Sequence, residues 1–308
     1  MSPPSFTITL EEHVTFPSLG DDREFYHNLY KFVPGVKQAL EDHSTGRIAG
    51  CRKANDEMAE AIEKNPGRFG GFAALPMAHP EKAAAELERV VKELGFLGAM
   101  IDSHLGDMSH YDDERFWPVF ETAERLDVPV YIHPAPPTES RVKERFAGNY
   151  SDVVASGLSI SAWGWHEDVG LHVLKLYAAG LFQHLPKLKI IIGHMGELLP
   201  MMIDRVKSLR TYQKSGRESF SEVWDRNIWV ASSGMFSART LEMLLKVTKK
   251  DRVMYSVDYP FGNSVEGRKH LEDLAEKSFL SKEELDDFAF GNARRLLNLD
   301  LPLKEFSS

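Results

Sequence analysis

Cysteine is nearly absent from this 308-residue chain: Cys51 stands alone, so no disulfide can form within it, which suits a reducing compartment. Long apolar runs are missing too, and nothing in the sequence is long enough to cross a membrane. The first residues, Met1-Ser2-Pro3-Pro4-Ser5, hold neither the basic start nor the apolar stretch of a secretory signal. A cytoplasmic location is therefore expected. Basic clusters are also lacking, and the net charge is −9, which argues against nucleic acid as a partner because phosphate contacts need such clusters. There is no Gly-x-Gly-x-x-Gly turn, no P-loop and no Gly-x-Ser-x-Gly elbow. Those absences disfavour a dinucleotide fold, an NTPase and a serine hydrolase of the α/β type.

What is present is a balanced globular composition, 43% hydrophobic and 27% charged. Short apolar runs alternate with amphipathic helical patterns. Strands are expected at residues 6–14, 69–76, 97–102, 128–134, 188–194, 228–232 and 252–258. Helices are expected between them, for example over Lys53–Lys64, Ala238–Val247 and a last one opened by the capping box Ser281-x-x-Glu284. Residues 135–165 and 211–227 read as long polar connections. Strands apolar on both faces and separated by helices mean a parallel α/β protein. The best fit is one domain over residues 1–308, a (β/α)8 TIM-type barrel. Seven strands are legible rather than eight. In residues 23–50 only Arg47–Cys51 approaches a strand, and poorly, so the second strand is expected to be lacking or distorted.

In such a barrel the chemistry sits at the C-terminal ends of strands. The first strand ends in Glu11-Glu12-His13, and alternation puts Glu11 and His13 on one face, where a carboxylate and an imidazole can share a cation. Other strands end in His133, His194 and Asp258. One histidine at a strand end is usually packing; several ionisable groups on one rim need partners or a metal. Carboxylate and imidazole without thiolate suit one divalent ion, Zn²⁺, Mn²⁺ or Mg²⁺. His194 and Glu197, three apart where a helix is expected to start, either form a proton-transfer pair or leave Glu197 complementing a helix dipole.

Segments along the whole chain resemble the amidohydrolase-related decarboxylases, the branch that holds aminocarboxymuconate-semialdehyde decarboxylase and the 2,3-dihydroxybenzoate and γ-resorcylate decarboxylases. They are Glu11-Glu12-His13, Phe72-Ala73-Ala74-Leu75-Pro76, Phe116-Trp117, Tyr131-Ile132-His133-Pro134, Gly193-His194-Met195-Gly196-Glu197, Ser256-Val257-Asp258-Tyr259-Pro260-Phe261 and Asn292-Ala293-Arg294-Arg295-Leu296. The resemblance implies a metal held by Glu11, His13, His133 and Asp258, catalysis by Asp258, His194 and Glu197, and no organic cofactor. It implies a small aromatic carboxylic acid as substrate, decarboxylated without redox chemistry, and a homo-oligomer, dimer or tetramer. The alternatives are a lactone or amide hydrolase of the same superfamily and an inactive relative that serves as an oligomeric binding protein. The family's second strand has only a short polar substitute here, as though about one strand with its flanks were missing.

Overall fold

The computed structural model describes residues 2–4, 7–10, 45–65, 67–207, 218–259, 261–277 and 279–300. The chain divides into two compact units, residues 15–188 and residues 1–14 with 189–308.

Within residues 15–188, strands β1 (Phe72–Ala74), β2 (Gly98–Asp102) and β3 (Val130–His133) pair in parallel, with Ala74 opposite Met100 and Asp102 opposite His133. Helices α1 (Thr45–Glu63), α2 (Pro80–Leu94) and α3 (Trp117–Arg125) accompany them. Tyr131 and Ile132 of β3 are fully buried, as are Leu87 and Val90 of α2 and Val119 and Phe120 of α3. This is the double-sided burial that gives parallel strands their continuous apolar runs. Asn55 of α1, wholly buried, treats β1 as a neighbouring strand would. Its Nδ2 donates to the Ala74 carbonyl at 3.0 Å, and its Oδ1 accepts from the Ala74 N–H at 2.9 Å. A side-chain amide thus satisfies the backbone edge opposite β2, a position that exposed strands otherwise leave open.

Two expectations change in this unit. Arg47–Cys51, the nearest approach to a strand, lies inside α1, since Ile48–Ile62 lacks the β-branched density that would favour a strand. The 135–165 connection folds in part into α4 (Glu139–Arg145) and α5 (Asp152–Ser159), packed through Val142, Phe146 and Ala155. The Thr138 side chain accepts from the Arg141 N–H and caps α4, a start signal hidden in a polar stretch. Helix α6 then runs from Gly164 to Ala179.

Within the other unit, β4 (Ile190–Ile192), β5 (Ile228–Ala231) and β6 (Val253–Met254) are again parallel, with Ile190 opposite Ile228 and Ala231 opposite Met254. Part of the expected polar connection 211–227 is helical: α7 (Phe220–Asn227) opens with a capping box of Ser219 and Glu222, while residues 208–217 lie outside the described residues. Helices α8 (Ala238–Leu244), α9 (Ser264–Lys277) and α10 (Lys282–Asp286) follow, the last with the Ser281–Glu284 capping box expected from sequence. A π-helical turn, Asp287–Gly291, then leads into α11 (Asn292–Leu296).

Six of the seven expected strands are therefore present, shorter than their apolar runs. The seventh, residues 6–14, carries no ladder over Thr7–Leu10, and residues 11–14 lie outside the described residues, as does most of the segment where a second strand was in question.

Candidate active site

β4 ends at Ile192, and the five residues His194 to Leu198 all take positive φ, from 48° at His194 to 98° at Gly196. A left-handed residue other than glycine costs roughly 1–2 kcal/mol, so this turn stores strain that its surroundings must hold. The Met195 N–H donates to the Ala231 carbonyl at 3.0 Å, and Gly196 N–H to Gly193 at 2.8 Å. A side chain at Gly196 would meet Pro200 at 2.7 Å, so both φ and space require glycine there. The expected helix start at Glu197 is thus a left-handed turn followed by a 3-10 turn, Leu199–Met201, because glycine at 196 and proline at 200 break an α-helical start.

The turn brings His194 and Glu197 together by a route different from a helix. His194 Nδ1 lies 2.7 Å from Glu197 Oε1, and the Glu197 side chain is fully buried while that of His194 is 11% exposed. A carboxylate that close makes Nδ1 the donor, which leaves Nε2 as the basic nitrogen. Nε2 faces Asp258, whose Oδ2 is 3.8 Å away. Glu197 does not complement a helix dipole, since no helix begins at it; it orients His194. Asp258 itself sits four residues beyond β6 with φ of 62°, its carbonyl accepting from Gly262 N–H at 2.6 Å.

Glu11 and His13 lie outside the described residues. His133 ends β3 beside Asp102. His166, which ends no apolar run in the sequence, is buried in the first turn of α6. Its Nε2 lies 2.9 Å from the Ser161 carbonyl, which can only accept, so Nε2 carries the proton and Nδ1 the lone pair. This is the arrangement metal-binding imidazoles share. Gly164 permits the approach, since a Cβ there would stand 2.1 Å from the Ser159 carbonyl. The signal available in the sequence was a histidine just after Gly164, at the close of a long connection.

A second polar cluster belongs to residues 15–188. Asp168 of α6 accepts from Ser103 Oγ at 2.5 Å and from His110 Nε2 at 3.0 Å. Burial works to raise the Asp168 carboxyl, but His110, His104 and Ser103 outweigh it and hold it below the usual range. His110 stacks on His172 with ring centres 4.9 Å apart. His172 is driven well below its ordinary value, first by burial and then by the charge of His110. It accepts the Tyr111 N–H at 3.2 Å and is neutral.

The Amidohydrolase family matches residues 34–299. The chain belongs to that family. It is 39% identical to the decarboxylase orsB of Emericella nidulans, covering 98% of this chain and 99% of that protein. The alignment runs over 334 positions, more than this chain has, so that relative carries residues with no counterpart here. It is 36% identical to the γ-resorcylate decarboxylase of Polaromonas sp., over 87% of this chain and 81% of the other. Among solved structures it is similar to the dihydroxybenzoic acid decarboxylase of Polaromonas sp. JS666 with bound manganese and the inhibitor 2-nitroresorcinol. That match has a TM-score of 0.79 and 30% identity, and covers 98% of this chain and 99% of the other. The fold class is that of a TIM-type α/β barrel, as the strand–helix alternation implied. No described helix is long and apolar enough to cross a membrane.

Proposed function

We propose that the protein is a metal-dependent, non-oxidative decarboxylase of a hydroxylated aromatic acid of the dihydroxybenzoate kind. The observation that carries this is the His194–Glu197–Asp258 arrangement, an oriented imidazole facing a carboxylate at 3.8 Å, in a chain whose relatives are named as decarboxylases of such acids. The proposed ligands are Glu11, His13, His133 and Asp258, with His166 added because its tautomer is fixed for metal binding. Carboxylate and imidazole donors fit Mn²⁺, Zn²⁺ or Mg²⁺, and manganese is the ion in the Polaromonas structure. A bound divalent ion would stabilise negative charge on the substrate's carboxylate and ortho hydroxyl.

The chain's own residues then supply the proton. Asp258 delivers it to the ring carbon that bears the carboxylate. The bond from that carbon to the carboxylate breaks, its electron pair restores the aromatic ring, and CO₂ leaves. His194 stands behind Asp258 as the base that accepts and returns a proton, and Glu197 keeps its Nε2 aimed there. Positioned proton transfer of this kind contributes about 10²–10⁴-fold in rate. A cytoplasmic setting fits the single cysteine. A homo-oligomer fits the exposed Val153 and Val154 of α5, which offer apolar surface to a second copy.

The test is incubation of the purified protein and Mn²⁺ with 2,3- and 2,6-dihydroxybenzoate. Release of CO₂ and the corresponding phenol is expected. Hydrolysis of aryl lactones with no CO₂ from either acid would replace this reading with the hydrolase one.

A further inference from the structure

The ladder between β5 and β6 ends at Met254, yet Asp258 lies four residues further on. Something other than a strand must carry the chain from one to the other. Ser232 does part of this. Its N–H donates to the Met254 carbonyl at 2.9 Å, its Oγ accepts from Ser256 N–H at 2.8 Å, and its hydroxyl donates to the Ser256 carbonyl at 2.8 Å. Both serines are fully buried. The π-turn does the rest. Its Phe288 carbonyl accepts from Tyr255 N–H at 2.8 Å, and its Ala289 carbonyl accepts from Ile8 N–H at 3.0 Å. A π-turn bonds i to i+5, here from Asn292 N–H to the Asp287 carbonyl, and two consecutive carbonyls take donors from outside the helix. The two outside segments are also tied directly, because Leu10 N–H donates to Ser256 Oγ at 3.4 Å.

Residues 8–10 and 255–256 are therefore locked to each other twice, once through the adjacent π-turn carbonyls and once through the Ser256 hydroxyl. Each segment leads into a proposed ligand. Leu10 immediately precedes Glu11, and Ser256 is two residues before Asp258. Ile8 and Leu10 donate at alternate positions, as an edge strand would, but to a helix carbonyl and a hydroxyl. That is the physical reason no ladder forms in this stretch.

We propose that Ser256 is a positioning residue for the metal centre: with the π-turn carbonyls of Phe288 and Ala289 it sets the spacing between the segment that leads into Glu11 and the segment that leads into Asp258. This rests on the ligand set proposed above. Residues that orient ligands in this way typically cost 10–100-fold in metal affinity when removed.

The experiment is calorimetric titration of Mn²⁺ into the full-length, chelator-treated protein, for wild type, Ser256→Ala, Ser256→Cys and Asn292→Ala, with thermal unfolding alongside. Asn292 is the control. Its side chain is buried in the same unit and donates to the Lys250 and Val253 carbonyls at 2.7 and 2.8 Å, and alanine keeps the backbone N–H with which it closes the π-turn. Ser256→Ala is expected to raise the Mn²⁺ dissociation constant about 10–100-fold, while kcat at saturating Mn²⁺ falls less than about threefold. Ser256→Cys, which keeps a weak acceptor in nearly the same volume, is expected to fall between and covers the case in which alanine does not fold. Asn292→Ala is expected to lower the melting temperature without moving the dissociation constant. Unchanged Mn²⁺ affinity in both Ser256 variants overturns the proposal. So does an equal shift in Asn292→Ala, which would make the effect one of general stability. A wild type that takes up no Mn²⁺ overturns the reading beneath it, and that result is distinct from either of the others.

Discussion

Among the described residues, two buried acid–histidine clusters stand one in each unit, and they are built differently. Asp168 in residues 15–188 is met on both oxygens, by Ser103 and by His110, and its neighbour His172 is held neutral by burial. The carboxylate there, on α6, is closed on both oxygens by groups from the loop that follows β2, in which one residue, Met108, takes positive φ. The His194–Glu197–Asp258 group is reached only through a run of positive φ, and its imidazole stops 3.8 Å short of the second carboxylate. A gap of that size in a strained turn leaves room for a proton, an ion or a substrate oxygen, whereas a closed pair leaves none. Five consecutive left-handed residues lie on one side of the comparison and one on the other, and strain gathers at functional sites more often than at structural ones.

Substitution separates the two most sharply. Asp258→Asn is expected to abolish measurable decarboxylation, a loss of at least about 10³-fold, with circular dichroism and melting little changed. His194→Ala should cost about 10²–10⁴ in kcat while the protein still takes up metal by elemental analysis. Retained turnover in either variant would erase the distinction drawn here. Asp168→Asn is expected to do the reverse, lowering stability by about 2 kcal/mol in denaturant titration, since it removes a buried charged acceptor of two hydrogen bonds, with kcat within about threefold of wild type. A variant of normal stability and no activity would move Asp168 into the active site.

The comparison narrows further among the histidines. His166→Ala and His133→Ala should each weaken Mn²⁺ binding, by about 10–100-fold if the side chain is a ligand. Whichever leaves the affinity at the wild-type value drops out of the set. A further expected effect is on pH and stability, through a group outside both clusters. Burial pushes His270 down to about 4, against the pull of Asp273. The unfolded chain binds a proton near pH 6.5 that the folded one refuses until about 4. Stability from this group is thus full above about 6.5, falls as the pH drops toward 4, and is level below that. The loss is roughly 3 kcal/mol at about 1.4 kcal/mol per unit. His270→Gln should flatten that part of the profile, and an unchanged slope would assign the acid sensitivity to other groups, His172 first.

Periodicity carried the parallel α/β class and six strands, because buried parallel strands are apolar on both faces and leave an unmistakable run. His194, Glu197 and Asp258 were legible for a related reason, as ionisable residues directly after such runs. The hidden features depend on interactions without a period. The left-handed turn at 194–198 is set by Gly196 against Pro200, and an i, i+3 spacing alone cannot distinguish it from a helix. Helices α4 and α7 begin in polar stretches whose caps, Thr138 and Ser219, were outweighed by composition. His166 lies within a helix rather than at a strand end, where attention to the barrel rim does not look. The amide of Asn55 on β1 and the π-turn carbonyls on Ile8 and Tyr255 are backbone-edge solutions, which leave no trace in residue pattern.

The most direct measurement is CO₂ release from 2,6-dihydroxybenzoate by one preparation, assayed as purified, after complete chelation, and after one equivalent of Mn²⁺ is returned. Activity that is lost and then restored is the result this account predicts. Equal turnover by protein shown to be metal-free would contradict it.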